Sequence, residues 1–407
     1  MIAAFFVATM AYGVQYSFGI FLKPLTEEFG WSRAAVSGAV SLFMFVRGVM
    51  AILTGWATDK YGPRITIAAG GFLLGLGLLL TSQINAIWQL YLFYGLLVGF
   101  GLSIAFAPLV ATTSRWFVKK RGLAIGIVVS GVGMGTVVMS PVADYLISSY
   151  GWRPSYIIIS ILAWVIILSA AYFLKRSPED SGLLPLGGVE ESPTNNSAMA
   201  QSDTVSGNIG FSLLQAMRTS AFWILLAIIV FWALSVQMTM IHLYPHVTDV
   251  GISGAVAARF LIIIGVFSII GRLAMGGISD KLGGRPSLGI CLVLLALSMF
   301  WLTQSTEIWM FYVFAVVFGF AYAGCVPLLP VIAGELFKLR SIGAVVGVQM
   351  VGVAIGGAIG PILAGYVFDV SGSYGIAFSV GAGSVIVSLA LLFLLSLARK
   401  KLDFSEV

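Results

Sequence analysis

The sequence is poor in charge, in cysteine and in histidine. Of its 407 residues only 9% are Asp, Glu, Lys or Arg, whereas soluble domains carry about a quarter. So little charge cannot cover a globule with polar surface, so lipid must be part of the solvent. Cys291 and Cys325 lie inside apolar runs, which excludes a disulfide framework. His242 and His246 lack further ligands nearby, so we expect no metal site, and no cofactor is indicated.

What the chain has in abundance is apolar sequence, with 59% hydrophobic residues. A span needs roughly 20 mostly apolar residues to cross the hydrocarbon core of a bilayer. The apolar runs are continuous rather than alternating, so they predict helices and not the strands of a barrel. The sequence therefore predicts an all-α membrane protein with twelve transmembrane helices, at about 1–22, 34–57, 65–83, 87–113, 122–147, 154–174, 221–246, 254–276, 287–304, 307–334, 341–368 and 374–398.

The basic residues are placed unevenly between the predicted spans. Sixteen of the 22 lysines and arginines fall in alternate connections or at the end of the chain. By the positive-inside rule, we expect both termini and the long central connection to be cytoplasmic, in a multi-pass protein of the cell inner membrane. The net charge of +6 is then a matter of topology, and we expect no nucleic-acid partner.

A ten-residue motif occurs twice, as GWATDKYGPR from Gly55 to Arg64 and as GGISDKLGGR from Gly276 to Arg285. Each copy follows the second span of one half of the chain. The duplication predicts two six-helix pseudo-repeats with a site at their interface. We assign the halves to residues 1–176 and 211–407, joined by a Ser/Pro/Gly-rich cytoplasmic linker at 177–210.

The repeated motif resembles the loop signature of the major facilitator superfamily, G-x-x-x-D-[KR]-x-G-x-[KR], in both halves. The resemblance implies a major facilitator fold and a gating role for Gly55, Asp59, Arg64, Gly276, Asp280 and Arg285. Asp59 and Asp280 can pair with cations across the seam between the halves, and the two glycines permit close helix approach. Such pairs are expected to hold the outward-facing state and to open when the carrier turns inward.

Three further segments are informative: YSFGIFLKPLTEEFGWSR at 16–33, RWFVKKRGLAIGIVVSGVGMG at 115–135 and HLYPHVTDVGIS at 242–253. The first two resemble segments of monocarboxylate transporters, and the third is similar to the end of helix 7 in bacterial members, including the oxalate–formate exchanger branch. The resemblance implies a secondary active transporter of a small monocarboxylate, such as lactate or pyruvate, that works by alternating access with a co-transported proton. The chain lacks the acidic Gly-Trp motif that usually opens helix 1 in animal members of the family. It also departs from the family's proton relay, because Tyr16 aligns with the helix 1 lysine and Ser268 with the helix 8 aspartate.

Two arginines lie deep inside predicted spans. Arg47 precedes Asp59 by 12 residues and Arg272 precedes Asp280 by 8, which puts them roughly 18 Å and 12 Å from those helix ends. A charge at such depth is costly unless it is paired or hydrated, so each indicates a functional site. No Asp or Glu lies at comparable depth in the predicted spans, which suggests that the counter-charge is the substrate. By resemblance Arg272 binds the carboxylate, and a guanidinium can do so with two parallel hydrogen bonds. A structural pair is the alternative for both arginines, above all for Arg47, because helix 2 often faces the seam rather than the cavity.

Tyrosines and one glutamine complete the predicted substrate site. Tyr12 and Tyr16 lie four residues apart on one helix face, and Tyr322 aligns with an aromatic selectivity residue of the family. Their hydroxyls suit the hydroxyl or keto oxygen of a small acid. Gln349 aligns with the second cation of oxalate exchangers, so a dianion loses a counter-charge here and a monoanion is favoured. The packing of helix against helix is the alternative role for the tyrosines.

Proton coupling has no obvious carrier once the lysine–aspartate pair is missing. Among protein groups only histidine titrates near physiological pH, with an ordinary pKa of about 6.5, so His242 becomes the candidate for a proton path. The alternative function is an anion exchanger for dicarboxylate and formate. A membrane sensor is disfavoured because no signalling domain is attached, and an enzyme because no metal cluster, nucleophile triad or phosphate loop is present. We expect the partners to be lipid, a small carboxylate and a proton, with no obligate protein partner.

Overall fold

In the part of the chain that the structure describes, twelve helices are long and apolar enough to cross a membrane. The structure is a computed structural model that describes residues 1–117, 121–178, 213–337 and 342–403. The prediction of twelve helices is confirmed, while the predicted linker at 177–210 lies almost wholly outside the described residues. We number the helices α1 Ile2–Phe29, α2 Arg33–Tyr61, α3 Pro63–Thr81, α4 Ile87–Trp116, α5 Arg121–Tyr150, α6 Trp152–Phe173, α7 Ser220–Asp249, α8 Gly254–Leu282, α9 Gly284–Thr303, α10 Ile308–Phe337, α11 Ile342–Ser371 and α12 Gly375–Asp403.

Local signals in the sequence fix where the helices begin. Ser32 and Thr219 precede α2 and α7, and each side chain accepts a hydrogen bond from a backbone N–H in the first turn. Pro63 occupies the start of α3, where its missing N–H costs nothing. Within each half the described connections are only a few residues long, so consecutive helices there run antiparallel.

The backbone repeats the duplication of the sequence. Among the described residues six glycines have positive φ, and they form three pairs. The pairs end or connect helices at matching places in the two halves: Gly30 with Gly251, Gly62 with Gly283, and Gly151 with Gly372. The members of every pair are separated along the chain by the same interval as Gly55 and Gly276, the first residues of the two motif copies. The shared interval supports two pseudo-repeats of six helices.

The two halves meet along a seam in which α1 packs on α7, α2 on α11 and α5 on α8. Small residues bring these helices close together. A β-carbon added at Gly133 of α5 would lie 2.6 Å from Oγ of Ser268 and 2.7 Å from the carbonyl oxygen of Gly265, both on α8. Gly48 of α2 faces Ala354 of α11 just as tightly. The seam is therefore closed at the level of these residues.

Nearer the ends of α5 and α8 that adjoin the repeated motif, the halves separate. Gly126 lies seven residues before Gly133 on the same face of α5, and a β-carbon there would touch none of the described residues within 4 Å. On α8, Gly276 is equally open although Gly265 is packed. The same contrast occurs on α2 and α11, where Gly55 and Gly347 are the open positions. We call the side with the repeated motifs and the chain termini the open end, and the opposite side, where α1 ends and α2 begins, the closed end.

One helix departs from regular α geometry. In α4, residues Tyr91–Val98 form a π-helical segment and Ser103–Ala105 a 3₁₀ turn. The hydroxyl of Tyr91 donates to the carbonyl oxygen of Ala35 on α2 at 2.9 Å. The irregular segment thus joins α4 to the start of α2, close to the closed end.

Candidate substrate site

Arg272 lies on α8 at the level where the seam opens. It is seven residues from Gly265, which is packed against α5, and four from Gly276, which faces open space. Its Nη1 donates to Oγ of Ser268 at 3.2 Å, whereas its buried Nε has no hydrogen-bond partner among the described residues. Within the same residues no acidic side chain forms an ion pair with it. Arg272 therefore retains donors for an anion at the apex of the opening.

Three tyrosines predicted for the site are brought together with the arginines. The buried hydroxyl of Tyr16 is within electrostatic range of Tyr12 and Tyr322 and of both Arg47 and Arg272. The rings of Tyr12 and Tyr16 stack with centroids 6.3 Å apart. The hydroxyl of Tyr322 is buried and has no hydrogen-bond partner among the described residues. A polar cluster from both halves thus surrounds the point where the seam opens.

Arg47 is the second cation of the cluster, and it is held by side chains of α1. Its Nη1 donates to Oε1 of Gln15 at 2.6 Å and its Nη2 to the hydroxyl of Tyr12 at 2.7 Å. The guanidinium also lies 4.9 Å from the centre of the Tyr12 ring. An amide oxygen and a hydroxyl carry no formal charge, so neither of these acceptors compensates the positive charge of Arg47. Arg47 lines a small pocket between α2, α4 and α11 with Met44, Gly48, Ala51, Ser103, Phe106, Met350, Val353 and Ala354.

Gln349 lies in α11, but its side chain is outside the described residues, so its place in the site stays a prediction. Sequence reasoning did not identify Gln15 as the partner of Arg47. Gln15 lies on α1, the helix that also carries Tyr12 and Tyr16, one turn before Gly19. Gln15 and Arg47 are 32 residues apart in the sequence, so the spacing alone did not indicate that this buried amide and this buried guanidinium are in contact. Within the described residues, no group of three or more His, Cys, Asp or Glu side chains could hold a metal.

The repeated motif lies at the open end, away from this cluster. Asp59 pairs with Arg115 of α4, and Nη2 of Arg176 donates to the Asp59 carbonyl oxygen at 2.6 Å. These partners belong to the same half, so in this conformation Asp59 does not bridge the seam. Arg64 lies over the ring of Tyr172, 4.5 Å from its centre. Gly55 and Gly276 face open space, Asp280 is exposed and Arg285 is half-buried. The gating role of the motif stays a prediction.

His242 lies at the closed end and is fully buried. Its Nε2 lies 2.9 Å from the carbonyl oxygen of Pro361 and 3.2 Å from Oγ of Ser37, and its Nδ1 lies 3.0 Å from the hydroxyl of Tyr374. Because a carbonyl oxygen can only accept, Nε2 carries the hydrogen and Nδ1 accepts from Tyr374. His242 therefore joins α7 to α2 and α11, and its role in a proton path stays a prediction.

The structure adds charged residues that sequence reasoning missed. Asp144 of α5 is buried and accepts a hydrogen bond from the hydroxyl of Tyr244 on α7. The spacing of Thr136, Ser140 and Asp144, four residues apart on one helix face, is the signal that could have identified it. Arg33 of α2 forms an ion pair across the seam, at the closed end.

Comparisons with known proteins agree with this architecture. The family model of the Major Facilitator Superfamily matches residues 4–286 and 249–406. Monocarboxylate transporter 13 of Bos taurus is 27% identical over 97% of this chain and 88% of its own length. Monocarboxylate transporter 11 of Mus musculus is 28% identical over 94% of this chain and 84% of its own.

A solved structure supports the fold independently of close sequence similarity. The inward-facing, occupied form of a bacterial homologue of the human lysosomal transporter Spinster superposes with a TM-score of 0.74. It covers 97% of this chain and 96% of its own length at 16% identity. The predicted resemblance, the twelve-helix fold and the expectation of a transporter rather than an enzyme are thus confirmed: the chain belongs to the Major Facilitator Superfamily.

Proposed function

We propose that this transporter carries small monocarboxylate anions, such as lactate or pyruvate, by alternating access between its two halves. The observation that carries the proposal is Arg272, whose guanidinium has a buried, unpartnered Nε and no acidic partner among the described residues. A cation in this state inside a membrane helix attracts one carboxylate, which would neutralise it during the passage. The names of the full-length relatives, monocarboxylate transporters, agree with this substrate class.

The neighbouring hydroxyls favour acids that carry an oxygen beside the carboxylate. We assign to Tyr322 and Tyr16 a hydrogen bond with the 2-hydroxy or 2-oxo group, with Tyr12, Arg47 and Gln349 lining the rest of the site. The unpartnered hydroxyl of Tyr322 supports this assignment, since a buried polar atom without a partner is costly in the absence of a ligand. The gating residues of the repeated motif would open and close the seam at the open end.

We also propose the sidedness and the coupling. The positive-inside rule makes the open end cytoplasmic, so this conformation would face inward in the cell inner membrane. A co-transported proton is the family expectation, with His242 as the candidate carrier. Halves at 1–176 and 211–407 would rock about the carboxylate bound at Arg272.

The test is uptake of L-lactate and pyruvate into proteoliposomes. Arg272→Lys keeps the charge but replaces a planar fork by a point charge, so one charge-assisted hydrogen bond of about 1.5–3 kcal/mol is lost. We expect kcat/KM to fall roughly 10- to 100-fold. Arg259→Lys is the matched control, because Arg259 is on the same helix and is exposed. Uptake by Arg272→Lys equal to that of the control would contradict the carboxylate site.

A second candidate function, exchange of a dicarboxylate for formate, draws support from Arg47. Tyr16 is within electrostatic range of both arginines, so a dianion could engage one guanidinium from each half. Oxalate that competes with lactate more strongly than acetate does, together with exchange that requires internal anion, would favour this function over the first.

A further inference from the structure

Arg33, the first residue of α2, is the centre of a cluster that the substrate site does not use. Its Nη1 donates at 2.6 Å both to Oδ2 of Asp249 and to the hydroxyl of Tyr374. Its guanidinium also lies 3.7 Å from the centre of the Phe368 ring. Arg33 belongs to the first half, and all three partners belong to the second. Each of these contacts therefore crosses the seam at the closed end.

The backbone at the start of α2 is held across the same seam. The amides of Arg33 and Ala34 donate to Oδ1 and Oδ2 of Asp369 at 2.9 Å and 2.8 Å. The first N–H groups of a helix have no partner within the helix, and a carboxylate there also interacts favourably with the helix dipole. Ser32 satisfies only the amide of Ala35. One helix of the first half is thus capped by a side chain of the second.

Three further contacts complete the cluster. Lys23 of α1 forms a second ion pair with Asp249, at 3.3 Å. Tyr374, which accepts from Arg33, lies 3.0 Å from Nδ1 of His242, which in turn contacts Ser37 of α2. The side chain of Arg33 retains only 12% exposure, so its ion pair is largely shielded from solvent. Such a pair counts for more than an exposed one.

The pseudo-repeat supplies a contrast within the same molecule. Glu28 and Asp249 stand at matching positions of the two halves, each two residues before a paired glycine, Gly30 or Gly251. Glu28 accepts from Arg153 and from Trp152, both in its own half. Asp249 instead binds cations of the opposite half. Glu28 therefore stabilises contacts within the first half, whereas Asp249, at the equivalent position, joins the two halves.

We infer that Arg33, Asp249 and Asp369 form a latch that keeps the closed end shut, and that the cap supplied by Asp369 must be broken for this end to open. Every bond in the latch spans the seam, so separation of the halves at the closed end breaks all of them together. Their loss favours the conformation with the closed end open. The latch depends on the fold and on these contacts, not on the substrate.

The experiment measures accessibility at both ends in purified protein, after replacement of the buried Cys291 and Cys325 by serine. The first reporter is Ser41→Cys. Ser41 is 8% exposed and lies between Ser37 and Met44 on the face of α2 that meets the second half. The second reporter is Gly126→Cys, which faces open space at the open end. A polar maleimide labels each reporter, and the labelling rate reports on how often that position meets water.

Asp369→Ala and Asp249→Asn should each raise the labelling rate at position 41 roughly fivefold and lower it at position 126. Glu28→Gln removes the matching acid of the first half, so both rates should stay within about twofold. The assay needs no transported acid, so a wrong substrate leaves this test intact.

Three outcomes would overturn the inference. Unchanged rates at position 41 in both variants would mean that the cluster does not hold the end shut. Faster labelling at both positions would indicate loosened packing rather than a shift between conformations. A response to Asp249→Asn without one to Asp369→Ala would remove the helix cap from the latch.

Discussion

The sharpest test of the substrate site is Tyr322→Phe, because its effects on stability and on binding should differ. The hydroxyl of Tyr322 is buried and makes no hydrogen bond among the described residues, while its ring packs against Phe318 with centroids 5.3 Å apart. Phenylalanine keeps the ring and removes only the hydroxyl, so no group among the described residues loses a hydrogen-bond partner. The melting temperature should therefore be unchanged or higher, since a buried, unpartnered hydroxyl costs about 1–3 kcal/mol.

The loss of affinity depends on which substrate atom the hydroxyl meets. A hydrogen bond to a neutral hydroxyl or keto oxygen contributes about 1 kcal/mol, and one to a carboxylate about 1.5–3 kcal/mol. In the first case affinity for lactate falls roughly fivefold while affinity for propionate, which lacks the 2-oxygen, is retained. In the second case both acids lose roughly 10- to 100-fold. The proposed assignment of Tyr322 to the 2-oxygen predicts the first result.

Inhibition of lactate uptake by each acid measures both affinities in the same proteoliposomes. Tyr94→Phe is the matched control, since the Tyr94 hydroxyl is also buried without a partner among the described residues. Its ring lies between Phe18 and Phe43 inside the first half. Unchanged affinity for lactate in Tyr322→Phe would refute contact with the substrate. Equal losses in the two variants would assign the effect to packing.

Three other expectations concern selectivity, coupling and the seam. Gln349→Lys adds a second positive charge, so inhibition by dicarboxylates should improve relative to monocarboxylates, and an unchanged ratio in competition assays would exclude Gln349 from the site. An acid-outside gradient should accelerate uptake if a proton moves inward with the anion, and His242→Gln should blunt that acceleration more than exchange without a gradient. Uptake by the wild type that does not respond to the gradient would rule out proton coupling. An unchanged response in His242→Gln would mean that another group carries the proton. Gly133→Ala forces a β-carbon against the backbone of α8, which should cost about 1–3 kcal/mol in this conformation and slow uptake, whereas Gly126→Ala meets open space and should be neutral in the same assay.

Hydropathy predicted the helices better than their ends. The first span was expected to stop at residue 22, before Lys23, yet α1 continues to Phe29 through Pro24, Glu27 and Glu28. The apolar run measures how much of the helix lies in hydrocarbon, whereas backbone hydrogen bonding continues into the polar region. The π-helical segment of α4 could not be predicted, because its sequence is as apolar as that of its neighbours.

Depth along a helix was enough to identify Arg47 and Arg272, but not their partners. Arg47 binds side chains of α1, and which faces of α1 and α2 meet is decided by packing rather than by periodicity. The latch shows the same limit more strongly, since Arg33 and Asp369 are 336 residues apart. Asp144 was missed because one acid scarcely alters the mean hydropathy of a long apolar helix.

The duplication of the six-helix unit has a consequence for how the two halves have diverged. With the two motif copies aligned, the counterpart of Arg47 in the second half is Ser268, and the counterpart of Arg272 in the first half is Ala51. In the first half Arg47 occupies the shared position. In the second half Ser268 occupies it, and Arg272 lies one turn further along α8 and donates a hydrogen bond back to Ser268. The scaffold is thus duplicated but the position of the guanidinium along it is not, so an anion at Arg272 would be bound asymmetrically with respect to the two halves.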